Sequence, residues 1–313
     1  MQAVRLSNCP MVGSNMCGIV GLLIKDPSQR ERLGELVTPM LVAMGERGPD
    51  SAGLAVFESQ TAANSRRFSL FCDSPPIDWP ALAKRIEAEL GIRSRWKTSA
   101  ASAELVADVS RDALRAWLAA NVPGIHLLAV GKSMRLVKDE GHPREIAERY
   151  GFGRLAGSHA VGHTRMATES AVSPLHAHPF SAGEDFCLVH NGSFSNHHMI
   201  RRKLQRKGIR FETDNDTEAA CRFLEWRMRE GDPLETAIER SFAELDGFYT
   251  LVIATLDSLV VVRDAFACKP AVAAETDAYV AVASEYRSLA HLPGIEQATL
   301  FEPQPERIYA WNV

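Results

Sequence analysis

The stretch Met16-Cys17-Gly18-Ile19-Val20-Gly21-Leu22-Leu23-Ile24-Lys25-Asp26-Pro27 decides how this chain is read. Its apolar run is too short to argue a helix and stops against Asp26-Pro27, so it reads as a buried strand. The polar residues before it, broken by Ser7, Asn8, Pro10, Ser14 and Asn15, leave no apolar core for a secretion signal. After it, Leu33, Leu36, Val37, Met40, Leu41 and Met44 recur at three- and four-residue spacing, which is one face of a helix. Gly45 and the turn Arg47-Gly48-Pro49-Asp50 follow, and residues 52–57 return as a strand.

The whole chain has 313 residues, with 35 Lys and Arg against 39 Asp and Glu, a net charge of −4. That balance gives no basic footprint for nucleic acid or an anionic membrane. A hydrophobic share of 46% and a charged share of 24% are those of a globular protein. No window offers the roughly 18 apolar residues of a transmembrane helix. The six cysteines (Cys9, Cys17, Cys72, Cys187, Cys221 and Cys268) are scattered with no CxxC pair. Neither a zinc site nor a disulfide framework follows from them, and a cytoplasmic setting is expected.

Residues 59–157 read as an α/β elaboration packed on the main domain. A polar stretch leads to Pro75-Pro76 and two helical segments, the second with Val106, Val109, Ala113, Leu114, Trp117 and Leu118 on one face. Residues 125–130 are strand-like, and Pro143 opens a short helix. From 158 the pattern is strand, a loop rich in His and Pro, strand (186–190), then helices near 196–207 and 216–230. Asp232-Pro233-Leu234-Glu235 has the form of a capping box before a third helix. Four β-rich runs follow, at 248–255, 258–262, 271–274 and 278–283. The sum is layered helices and substantially antiparallel sheets.

Two glycine-rich stretches carry no nucleotide signal. Gly124 to Ser133 has six residues between its glycines where a phosphate loop needs four, and Gly151 to Gly157 is one residue too long for a dinucleotide fingerprint. His163, His176, His178, His190, His197 and His198 form no HExxH pair and gain no completing thiol or carboxylate, so no metal site is read from them.

Five motifs carry the chemistry: Met16-Cys17-Gly18-Ile19-Val20-Gly21, Arg47-Gly48-Pro49-Asp50-Ser51-Ala52-Gly53, Gly162-His163-Thr164-Arg165-Met166-Ala167-Thr168, Val189-His190-Asn191-Gly192 and Asp214-Asn215-Asp216-Thr217-Glu218. Singly, each is ordinary: a small core cysteine, a polar turn, a hairpin. In this order they closely resemble the class II glutamine amidotransferases, whose glutaminase domain is an N-terminal-nucleophile hydrolase. The resemblance covers roughly residues 16–58 and 158–292. It implies an α+β fold, a four-layer αββα sandwich, here with an α/β insertion.

It also implies roles. Cys17 is the nucleophile, and as first residue its own α-amine takes the thiol proton and returns it to the leaving nitrogen. Asn191 and the Gly192 N–H receive the oxyanion. Arg165 suits the substrate α-carboxylate and Asp216 its α-ammonium, with Asp214 and Asn215 as neighbouring alternatives. Thr168 and the Met166 backbone line the pocket, and Arg47 organises it near the nucleophile.

Cys17 is not first in the sequence as given. Either residues 1–16 are removed as a propeptide, or translation starts at Met16, the preferred alternative because residues 1–15 show no structural role. If they stay, the chain is a binding-only relative. The expected domain spans 17–292, with 59–157 as its insertion and 293–313 as a tail too short for a synthase. The ammonia acceptor is therefore expected on partner chains, as in the stand-alone amidotransferase subunits of glutamate synthase or N-methylglutamate synthase-like complexes. No cofactor is expected on this chain, and a flavin is expected on a partner subunit. A free-standing amidase acting on another γ-glutamyl amide is the further alternative.

Overall fold

The computed structural model describes residues 17–166 and 172–313. A seven-stranded antiparallel sheet takes β1 (Gly18–Ile24), β2 (Ser51–Phe57), β7 (Met134–Glu140), β8 (His159–Arg165), β13 (Val272–Glu275), β14 (Tyr279–Ala283) and β15 (Thr299–Phe301) in the order β15-β13-β14-β1-β8-β2-β7. Against it lies a five-stranded sheet of β9 (Phe180–Ser181), β10 (Cys187–Phe194), β11 (Gly247–Ala254), β12 (Ser258–Arg263) and β16 (Tyr309–Asn312), ordered β16-β12-β11-β10-β9.

Alternation along the strands builds the layers. On β1, Ile19 and Leu23 point into the core between the sheets, where they meet Val161, Val189, Val252, Val261 and Val280. Val20, Leu22 and Ile24 point the other way, onto Leu36, Val37, Met40 and Leu41 of α1 (Leu33–Ala43) and Ile146 and Tyr150 of α4 (Pro143–Tyr150). A strand buried on both faces has to be apolar almost throughout, which is why 17–24 reads as a continuous run. The second sheet turns Leu188, Leu251, Ile253 and Val262 outward onto α5 (His197–Gln205), α6 (Asp216–Arg229) and α7 (Leu234–Glu244). The result is the αββα sandwich.

The insertion is narrower than the sequence indicates. A four-stranded sheet, β4-β5-β3-β6, is made by β3 (Arg66–Cys72), β4 (Ser94–Ser99), β5 (Ser102–Ala107) and β6 (Ile125–Gly131). It buries one face under α2 (Trp79–Leu90) and α3 (Arg111–Asn121) around Phe68, Leu105, Leu114 and Trp117. Residues 134–157 return to the main body: β7 pairs with β2, and α4 packs on α1. The 293–313 segment is no loose tail, since β15 and β16 close one edge of each large sheet.

Two local readings are corrected. Val106 lies in β5, and Ser110 caps α3 by accepting from the Ala113 N–H at 3.2 Å, so the helix starts later than its apolar spacing implies. Asp232 does not cap α7; its carboxylate is held by Arg227 at 2.6 Å and Arg240 at 3.0 Å.

Candidate active site

Cys17 sits at the head of β1, and strand pairing determines its neighbours. Gly18 lies opposite Thr164 of β8, so the chain leaving β8 through Arg165 and Met166 passes beside the thiol. The Met166 backbone N–H donates to it. Burial pushes the Cys17 thiol up, and that N–H with the positive charges of Arg165 and Lys269 pull the other way. Arg47, 5% exposed, donates from Nε to the Cys17 carbonyl at 3.3 Å and is anchored by Glu285. Beyond Arg47 the turn runs hard against β8. A Cβ on Gly48 would stand 2.6 Å from the Thr164 carbonyl oxygen, so only glycine fits there. The Asp50 N–H then donates to Arg165 O at 3.1 Å, tying this turn to the same strand end.

The second sheet supplies the facing wall. Asn191 and Gly192 of β10 lie opposite Thr250 and Tyr249 of β11. Gly192 has φ +142, and a Cβ there would meet the Phe248 carbonyl oxygen at 1.9 Å. Asn191 is 2% exposed, and its Nδ2 has no hydrogen-bond partner among the described residues. A buried amide donor left open is costly unless a ligand completes it. Thr250 donates to Lys269 O at 2.9 Å, which fixes the loop whose Lys269 charge acts on both Cys17 and His190.

The three acidic or amide candidates of the fifth motif separate by geometry. Asn215 caps α6, accepting from the Thr217 N–H at 2.9 Å. Asp214 is 78% exposed and pairs with His176 at 2.9 Å. Asp216 turns inward at the first turn of α6, accepting the Phe194 N–H at 2.9 Å just past Gly192. Its other oxygen accepts from Thr217 Oγ1 at 3.2 Å and stands 3.9 Å from His190. Thr168 lies outside the described residues.

Behind these groups runs a ladder of buried imidazoles. His163 stacks on His178 with ring centroids 4.0 Å apart, and His178 faces His190 at 6.3 Å. His163 Nε2 donates to His190 O at 2.9 Å, and Thr217 Oγ1 lies 2.9 Å from His190 Nδ1 and 3.2 Å from His178 Nε2. Burial lowers all three, His163 to about 3 and His178 well below the usual imidazole value, while Asp216 partly opposes burial at His190. Among the described residues no cluster of His, Cys, Asp and Glu is arranged to hold a metal ion.

Lys269 and Glu285 are the site neighbours that sequence reasoning missed. Each is a lone charge in a loop, and nothing in local spacing marks it. The glycine-rich stretch ending at Ser133 has a structural use: the Lys132, Ser133 and Met134 N–H groups donate to the Asp185 carboxylate at 2.7, 2.9 and 2.8 Å.

Two facing antiparallel sheets between helical layers, with a cysteine heading a central strand, define an N-terminal-nucleophile hydrolase fold. The glutamine amidotransferase domain family matches residues 163–291. The chain is 47% identical to the glutamine amidotransferase-like protein GlxB of Rhizobium meliloti over 95% of its own length and 98% of that protein's. It is 33% identical to glutamine–fructose-6-phosphate aminotransferase (isomerizing) of Shewanella oneidensis, over 51% of this chain and 26% of that one. Among solved structures, the glutamine phosphoribosylpyrophosphate amidotransferase of B. subtilis superposes with a TM-score of 0.61 at 18% identity. That match covers 95% of this chain, which spans about half (47%) of the solved one. The chain belongs to the class II glutamine amidotransferases. Among the described residues no helix is long and apolar enough to cross a membrane.

Proposed function

We propose that this chain is the glutaminase subunit of a two-part synthase. Cys17 attacks the side-chain amide of glutamine, and the ammonia released passes to a partner chain. The observation that carries the reading is the convergence on Cys17 of the Met166 N–H, the positive charges of Arg165 and Lys269, and Arg47 on its carbonyl.

The reaction needs Cys17 as first residue, through loss of residues 1–16 or initiation at Met16 followed by removal of that methionine. Its free α-amine, with an ordinary pKa near 7.7–8.0, then takes the thiol proton as Sγ adds to the amide carbon. The tetrahedral oxyanion is received by the open Asn191 amide and the Gly192 N–H. Collapse returns the proton to the departing nitrogen, releasing ammonia and leaving a thioester. Water cleaves the thioester to give glutamate and free thiol. Arg165 holds the substrate α-carboxylate and Asp216 its α-ammonium, so the pocket selects a free amino-acid head group over other γ-glutamyl amides.

Full-length similarity to an amidotransferase-like protein of this size favours an acceptor on another chain. We assign that role to a flavin-containing, glutamate synthase-like partner that aminates a 2-oxo acid. The test compares a chain beginning at Cys17, its Cys17→Ala variant and a chain retaining residues 1–16, each assayed for glutamate and ammonia from glutamine. Activity is expected only in the first, with Arg165→Ala raising KM more than it lowers kcat. Substantial turnover by Cys17→Ala would refute the mechanism. Glutamine binding without turnover by the chain beginning at Cys17 would favour a regulatory, binding-only subunit.

A further inference from the structure

The helix α3 of the insertion stands across from α6, and between them lies a cleft of about 550 Å³. Arg111 and Arg115 line it from α3, Arg210 from the turn after α5, and Arg222 and Arg229 from α6. Asp112 and Glu225 are the wall's two carboxylates, and with Glu212 and Glu218 paired to its arginines the five guanidinium groups keep a surplus of one positive charge. Three of the arginines have partners. Arg111 reaches Asp112 at 3.4 Å, Arg115 reaches Glu212 at 2.6 Å, and Arg222 reaches Glu218 at 3.1 Å and Glu212 at 3.6 Å. Arg210 and Arg229 have no ion pair among the described residues, although like charges crowded together repel. Ala116, Ala119 and Ile209 add small and aliphatic side chains to the lining.

Such a cleft suits one ligand class. Its volume falls in the range of roughly 300–1,000 Å³ typical of small-molecule sites. Guanidinium groups present forked donors that match phosphate oxygens in pairs. Cations coming from three separate elements fit charge spread over two or more phosphate groups better than a single carboxylate. A nucleic-acid strand would need a long basic stripe, and the chain as a whole carries a net charge of −4. We propose that the cleft between α3 and α6 binds a small phosphorylated anion through a diphosphate or triphosphate group.

The position gives an occupant a point of purchase. Arg115 and Arg222 hold Glu212, and Glu218 accepts the Glu212 and Thr213 N–H groups at 2.9 and 2.8 Å. An anion engaging these arginines competes with the carboxylates that shape the turn leading into Asp216.

The test is calorimetric titration of the full chain with inorganic pyrophosphate and tripolyphosphate, beside succinate and a short single-stranded DNA. It reads binding directly and stands independently of glutamine hydrolysis. The double variant Arg210→Ala/Arg229→Ala removes the two unpaired cations, and both are exposed, so folding is expected to hold; an unchanged unfolding midpoint verifies it. Saturable one-to-one binding of the polyphosphates is expected, at least tenfold weaker in the double variant. No saturable binding, or equal affinity in the variant, overturns the proposal. Succinate binding as tightly as pyrophosphate overturns the phosphate assignment, and DNA binding more tightly through the same arginines overturns the small-anion assignment.

Discussion

Lowering the pH from 7 to 5 is expected to destabilise the protein through its buried histidines, by an amount the structure sets. His163 donates from Nε2 to His190 O, so its Nδ1 is the basic nitrogen, and that atom is buried with no hydrogen-bond partner among the described residues. His159 donates from Nε2 to Thr255 O at 2.8 Å and stacks on Phe57 at 4.1 Å. A proton added to either ring buries a charge. Burial accordingly lowers His163 to about 3, with His190 and Arg165 adding repulsion, and lowers His159 to about 4, where Asp257 only partly opposes burial and Arg30 reinforces it. The unfolded side chains titrate near 6.5. Between pH 6.5 and the folded values the unfolded state binds more protons, so stability present above 6.5 is lost as the pH falls. At pH 5 each ring has lost about 2 kcal/mol, or about 4 kcal/mol together. An unfolding entropy of about 2.1 cal/mol/K per residue over 313 residues converts this to a fall in Tm of about 6 °C. His178 and His190 are lowered too and act in the same direction. Thermal unfolding followed by circular dichroism at constant ionic strength measures the fall. His163→Gln should lower Tm at pH 7 and remove about 3 °C of the further drop between pH 7 and 5. A Tm that stays level over that range, or a His163→Gln chain that keeps the whole pH dependence, refutes the reasoning.

Three further outcomes follow from particular contacts. Asn191→Ala should lower kcat for glutamine by roughly 10²–10³ with little change in the unfolding midpoint, because its Nδ2 has no hydrogen-bond partner among the described residues; an unchanged kcat would dismiss Asn191 from oxyanion stabilisation. Gly192→Ala, at φ +142 and with its new Cβ 1.9 Å from Phe248 O, should reduce activity and unfolding midpoint together, and full retention of both would contradict the strand geometry. Arg67→Ala strips a buried guanidinium from Glu58 and Glu104, which it holds at 2.8 and 2.6 Å, and should cost about 3–5 kcal/mol in urea unfolding. A loss under about 1 kcal/mol would mean Arg135, 3.4 Å from Glu104, takes over the pairing.

What could be read from the sequence follows how each segment meets its burial. β1, α1 and the strands from β10 to β14 are legible because apolar residues dominate them, and the helices α5 to α7 because one face repeats. β7 was missed for a physical reason. Its Arg135, Lys138 and Asp139 are buried, yet each faces a partner: Arg135 stands 3.4 Å from Glu104 and 3.6 Å from Glu58, Lys138 donates to the Leu175 and Ala177 carbonyls, and Asp139 accepts from Arg149 and Tyr150. A charged residue answered from a distant element looks, in one dimension, like one facing water. β4 alternates Arg95 and Lys97 with partly buried neighbours on an outer edge, and β15 and β16 are short edge strands that only pairing defines.

The same distinction divides the site. The motif residues were legible because their types and order are unusual together, and Cys17, Arg165 and Met166 are brought side by side by the register of β1 on β8. Lys269 was not, because its nearness to Cys17 depends on Thr250 holding a loop of another sheet. The histidines were visible but not interpretable. As letters, His163, His178 and His190 give no recognisable metal-ligand set, and they do not say what else the rings do. Only their stacking, and a Thr217 hydroxyl within reach of both His178 and His190, shows neutral rings bracing the wall behind Asn191 and Asp216. Asn191 adds a buried Nδ2 donor with no hydrogen-bond partner among the described residues, as His163 Nδ1, His190 Nε2 and Arg47 Nη2 also have none. An unmet hydrogen bond costs stability, and in the proposed mechanism a substrate oxygen meets the one at Asn191.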